Sequence, residues 1–125
     1  MLDDTLRTAL RADDRVAAAW LFGSEARGEA RPDSDIDVGV LFVDPPLRTL
    51  LGQPWTLADE LSRLTGRPVD LVVLNDAPVD LIHRVLRDGR LLLGHDSPER
   101  VRFEVRSRNE YWDILPYIEL YRRGA

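Results

Sequence analysis

The chain has no cysteine and no lysine; all 17 of its basic residues are arginine. Without thiols there are no disulfides and no thiolate chemistry. No apolar stretch approaches the roughly 20 residues that span a bilayer. The start, Met1-Leu2-Asp3-Asp4, has neither the basic region nor the apolar run of a secretion signal. A cytoplasmic address without membrane insertion is therefore expected. Positive charge is also short. With 22 acidic residues against 17 basic ones the formal net charge is −5, the wrong sign for a protein that holds nucleic acid through a general basic surface.

The acid is unevenly placed: residues 1–96 carry 17 acids and 11 arginines (net −6), residues 97–125 carry 5 acids and 6 arginines (net +1). A chain of 125 residues, 44% hydrophobic, suits one domain over 1–125 with a modest core.

Leu2, Leu6, Ala9 and Leu10 share a helical face, and Asp13-Asp14 ends that segment before the apolar run Val16 to Phe22, whose length suits a buried strand. Gly23-Ser24 turns the chain into a short polar segment ending at Gly28. Ile36 to Val43 alternates as a second strand, stopped by Asp44-Pro45-Pro46. Thr56 with Asp59 predicts a capping box, and Leu57, Leu61 and Leu64 share the face of the helix that follows. Gly66 ends that helix before a third strand, Val69 to Leu74. Pro78 opens a helix striped by Val79, Ile82, Val85 and Leu86, closed by Gly89 before the short strand Arg90 to Leu93. Asp96-Ser97-Pro98-Glu99 reads as a capped start of a final helix, which Pro116 is expected to break or kink. The alternation predicts an α/β fold, a small mixed sheet flanked by helices with a C-terminal helix.

The chemistry gathers in Gly23-Ser24, ten residues, then Asp35-Ile36-Asp37. Side chains two apart on a strand point the same way with Cα atoms about 7 Å apart, so Asp35 and Asp37 share one face while Ile36, Val38 and Val40 share the other. Two carboxylates on one face repel, and partial burial raises the cost unless a cation or proton compensates. An all-oxygen site favours magnesium. Asp70, early in the third strand, joins the same point if that strand pairs beside the second. The first two acids would then bridge ions to a triphosphate, and the third would hold a second ion and help take a proton from the attacking hydroxyl. Gly23 and Ser24 offer backbone amides to phosphate oxygens, and Arg27, one turn on, supplies charge for the leaving pyrophosphate. Each of these residues has an ordinary use as well: Asp-x-Asp as turn caps, Gly-Ser as a turn and helix cap, Arg27 and Arg31 as solvated arginines, and His83 and His95, which lack a second histidine at ligand spacing, as structural residues.

Gly23-Ser24-Glu25-Ala26-Arg27-Gly28, followed by Arg31-Pro32-Asp33-Ser34-Asp35-Ile36-Asp37 and later by Val69-Asp70-Leu71-Val72, resembles the minimal nucleotidyltransferases of the DNA polymerase β superfamily. Within that family it resembles the antitoxins of bacterial HEPN/MNT toxin–antitoxin pairs, down to Leu86-Arg87-Asp88-Gly89-Arg90 and the aromatic tail. The resemblance implies a polymerase β palm-like fold, ATP as substrate, two magnesium ions held by Asp35, Asp37 and Asp70, nucleotide contacts at Gly23, Ser24 and Arg27, and a HEPN ribonuclease partner adenylylated on a tyrosine hydroxyl, in the manner of a type VII antitoxin. Glu25 departs from the pattern, which often has a basic residue there.

Two other readings stay open. The motif equally permits a nucleotidyltransferase for small molecules of the aminoglycoside type, needing an acceptor pocket shared across a dimer, or an antitoxin that acts by binding alone. The tail speaks for a protein partner in a hetero- or homo-oligomer. Tyr111, Trp112, Tyr117 and Tyr121 stand beside Arg106, Arg108, Arg122 and Arg123, an interface composition.

Overall fold

The computed structural model describes residues 1–45 and 53–124. The chain runs α1 (Leu2–Arg11), β1 (Val16–Phe22), α2 (Gly23–Arg27), β2 (Ile36–Phe42), α3 (Gln53–Thr65), β3 (Val69–Val73), a single 3-10 turn (Leu74–Asp76), α4 (Val79–Asp88), β4 (Arg90–Leu93) and α5 (Pro98–Gly124). The four strands form one mixed sheet in the order β3-β2-β1-β4. β1 is antiparallel to both β2 and β4, and β2 is parallel to β3.

Each face of the sheet is covered, which is why its central strands read as continuous apolar runs. Ile36, Val38 and Val40 pack with Leu6 and Leu10 of α1 and Leu57 and Leu61 of α3. On the other face Ala18, Trp20 and Leu41 pack with Ile82 and Val85 of α4 and Phe103 of α5. Strand alternation therefore sends Asp37 and Gly39 to the α4–α5 side. An added Cβ at Gly39 would lie 3.1 Å from the Leu74 side chain, on that side.

Several predicted boundaries move. The helix forecast from Thr56 begins earlier, at Gln53, because Pro54 is acceptable in a first turn where its missing N–H has no partner to lose. Thr56 is thus inside α3 and not its cap. Leu64 is 42% exposed, so of the three leucines Leu57 and Leu61 carry that face inward. The second and third strands each stop one residue early, Leu74 entering the 3-10 turn. Pro46 lies outside the described residues. The final helix is not broken at Pro116: the Trp112 carbonyl that loses its i+4 donor is on a solvent-exposed stretch, where its loss costs least. Among the described residues no helix is long and apolar enough to cross a membrane.

Candidate functional site

The site forms where β1 ends, α2 begins, and β2 and β3 start. Phe22 pairs with Asp37 across the β1–β2 ladder, and Asp37 pairs with Asp70 across the parallel β2–β3 ladder. Residues in register point to the same face. The sheet thus sets the two carboxylates side by side, with Asp35 two residues upstream of Asp37 on the same side.

Gly23 is the hinge of the arrangement. It has φ +71°, and an added Cβ would sit 2.1 Å from Asp37 Oδ2. The Asp37 carboxylate therefore lies against the bare Cα of the glycine, which a side chain would fill. α2 starts at Gly23 with no side-chain cap, and ends at Gly28 with φ +72°. The first amides of α2 are left without a side-chain acceptor.

Asp37 is half-buried, and its carboxyl is raised above the ordinary carboxylate value, by burial first, then by the charges of Asp70 and Asp35, with Arg27 pulling the other way. Asp35 and Asp70 are exposed and make no hydrogen bond or ion pair among the described residues. No three acidic or imidazole side chains, as placed among the described residues, already close around an ion. The donor set nevertheless fits a hard divalent cation: three carboxylates, mutual repulsion felt at Asp37, and a glycine cradle that keeps the central one in place. Arg27 is exposed and its guanidinium donates to Glu29 at 3.1 Å.

Arg67, which the motif does not flag, and Glu25, which departs from it, hold the site together. Arg67 donates to the Ser34 carbonyl through Nε at 3.1 Å and through Nη2 at 2.8 Å, and it forms an ion pair with Glu25 of α2. Both partners of that pair are largely buried, 20% and 17% exposed. One guanidinium thus ties α2 to the turn that delivers Asp35. This gives Glu25 a structural role. The signal in the sequence was the departure at Glu25 itself, a lone acid among the residues that lead up to Arg27. Arg31 contributes only its backbone, its N–H donating to Ser34 Oγ at 2.8 Å. His95 accepts at its carbonyl from Arg100, and His83 stacks on Tyr111. Trp112, Tyr117 and Tyr121 of the tail are 66%, 73% and 80% exposed.

Carboxylates in parallel register beside a glycine-led helix define the class to which the comparisons point, a nucleotidyltransferase. Residues 4–98 match the polymerase beta nucleotidyltransferase model, and the chain belongs to that family. It is 34% identical over 97 residues, 78% of this chain and 67% of the relative, to the protein adenylyltransferase MntA of Shewanella oneidensis. A crystal structure of a toxin-antitoxin with AMP-PNP superposes with a TM-score of 0.83 at 26% identity, covering 98% of this chain and 96% of that one. A tri-AMPylated Shewanella oneidensis HEPN toxin in complex with MNT antitoxin shares the fold, with a TM-score of 0.76 at 24% identity over 98% and 94% of the two chains.

Proposed function

We propose that this chain is an antitoxin of the cytoplasm, where ATP is supplied, and that it transfers AMP from ATP to a tyrosine hydroxyl of a cognate HEPN ribonuclease toxin. The single observation that carries the reading is the Asp37–Asp70 register with Gly23 against the Asp37 carboxylate. The relatives carry the choice of acceptor: MntA is named a protein adenylyltransferase, and the HEPN toxin bound to an MNT antitoxin bears AMP. The exposed Trp112, Tyr117, Leu120 and Tyr121 of α5 supply a partner surface of suitable chemistry.

Asp35, Asp37 and Asp70 would hold two magnesium ions. Bound there, the cations supply charge neutralisation of the triphosphate and lower the pKa of the acceptor hydroxyl. Gly23 and Ser24 position phosphate oxygens through backbone amides. The acceptor oxygen attacks the α-phosphorus, the bond to the bridging oxygen of the β-phosphate breaks, and pyrophosphate leaves with Arg27 opposite its charge. A tyrosine hydroxyl of ordinary pKa about 10 is protonated at neutral pH, and Asp70, exposed and unpaired, accepts its proton.

The test is pyrophosphate release from ATP and magnesium with the protein encoded beside this chain in its genome. Release that requires the neighbour and disappears in Asp37→Asn supports the reading. Release driven by an aminoglycoside but not by the neighbour replaces it with the small-molecule alternative, and neutralisation by Asp37→Asn as complete as by the parent leaves binding alone.

A further inference from the structure

α4 runs toward the catalytic end of the sheet. It closes at Asp88, immediately before Arg90 pairs with Leu21, one residue from the Phe22–Asp37 pair. On that same face of the sheet, between α4 and α5, a cavity of about 260 Å³ is lined by His83, Arg87, Ser107, Arg108, Tyr111 and Trp112. Its walls are flat. His83 and Tyr111 stack with ring centroids 3.6 Å apart and parallel planes, and the Trp112 indole meets Tyr111 at 6.4 Å and 68°. Tyr111 and Trp112 form a corner of aromatic surface that takes a planar ring on a face or an edge.

The polar groups are placed for a nucleotide. Ser107 is the buried polar residue among the described ones, 5% exposed; its hydroxyl makes no side-chain hydrogen bond there and reaches the solvent of the cavity, since no sealed polar atom lacks a partner. A hydroxyl that opens on the cavity without a protein partner is free to bond a polar edge placed there. Arg87 is held by Asp88 at 2.9 and 2.8 Å. Arg108 is held more loosely: its Nη2 stands 3.8 Å from Glu104 Oε1, whose other oxygen pairs with Arg100, and its side chain is 63% exposed. A volume of about 260 Å³ suits one heterocyclic ring, with the phosphate outside at Arg108. Position agrees, since α2 packs against both α4 and β2, the strand of Asp37.

We propose that the α4–α5 cavity is an adenylate subsite, with the purine against Tyr111 and Trp112, its edge bonded to Ser107 Oγ, and the phosphate on Arg108. The assignment rests on the transfer reading above. The adenylate has two sources, the adenine of the donor ATP or an AMP that the acceptor already carries, and both present the same ring and phosphate chemistry.

The experiment uses AMP itself in EDTA, with amide NMR spectra of the whole chain and no acceptor, so its outcome does not depend on catalysis. Saturable shifts at Ser107, Arg108 and Tyr111, with affinity lowered at least about tenfold in Arg108→Ala and in Ser107→Ala, are expected. Melting curves of the two variants establish that they fold. No saturable shift, shifts confined to residues 23–27, or equal affinity in both variants overturns the proposal. The source follows from transfer assays: a raised ATP requirement for the first AMP in the variants identifies the donor's adenine, and a deficit in adding AMP to a pre-adenylylated acceptor identifies the acceptor's. If AMP binds as expected but no acceptor is ever modified, the subsite stands and the transfer reading falls.

Discussion

Gly23 and Gly28 both have left-handed backbone, with φ +71° and +72°, but only Gly23 lies against a carboxylate of the candidate site, that of Asp37. At Gly28 an added Cβ meets nothing within 4 Å, so Gly28→Ala carries only the conformational penalty, about 1 kcal/mol. At Gly23 the Cβ would lie 2.1 Å from Asp37 Oδ2, where ordinary contact begins at 3.4 Å. The carboxylate must retreat by more than an ångström. Because a side-chain end moves more cheaply than backbone, the extra stability cost is small, and the two variants should melt within a few degrees of each other, each roughly 3–6 °C below the parent. Transfer should separate them. A misplacement of about 1 Å costs on the order of 100-fold, so Gly23→Ala should lose about two orders of magnitude in initial rate of AMP transfer while Gly28→Ala stays within about threefold of the parent. Melting curves and transfer rates measured on the same preparations decide the matter. Full activity in Gly23→Ala, or equal losses in both, would refute the idea that Gly23 exists to seat Asp37.

Asp37→Asn should abolish transfer yet melt no lower than the parent in EDTA. With its folded pKa raised, ionised Asp37 costs stability above that pKa, and the parent should gain on the variant as pH falls through it. Asp13 shows the opposite sign: the Arg15 guanidinium, bonded at 2.9 and 2.6 Å, holds its carboxyl below the ordinary value. Asp13→Asn should therefore cost about 1 kcal/mol near neutrality, tempered by the 40% exposure of Arg15, and the difference should vanish as pH falls below 3.8 through the folded pKa. Chemical denaturation at several pH values reads it. Arg67→Ala should destabilise more than Glu25→Ala, by about 1 kcal/mol, because it also releases the Ser34 carbonyl; equal losses would place the whole effect in the ion pair. Calorimetry of ATP binding should show magnesium to be required, since acidic ligand and acidic site repel without it, and equal affinity in EDTA would contradict the carboxylate site.

The strand that holds Asp37 was legible because both faces of β2 are buried: period-two alternation put Ile36, Val38 and Val40 on one side and left the acids on the other. The apolar run Val16 to Phe22 announced β1 for the same reason. The pairing of β3 beside β2 was a condition that spacing alone could not fix, since a one-residue slip would have turned Asp70 to the α1–α3 face. The start of α3 was missed because Thr56 and Asp59 imitate a cap inside a helix that Pro54 had already opened. The role of Arg67 was invisible for a different reason. Its partners, Glu25 and Ser34, lie about 30 to 40 residues away in sequence and meet it only when α2 and β3 are both docked on the sheet. Pro116 does not end α5, because the carbonyl that loses its donor lies on an exposed stretch of the helix.

The central claim is met most directly by the intact mass of the proposed toxin partner, the protein encoded beside this chain, after incubation with this chain, ATP and magnesium. The toxin should gain the mass of one or more AMP groups, mapped to a tyrosine, and should gain nothing when Asp35 and Asp37 are both asparagine. An unmodified toxin in the presence of folded chain, or one equally modified by the double variant, would contradict it.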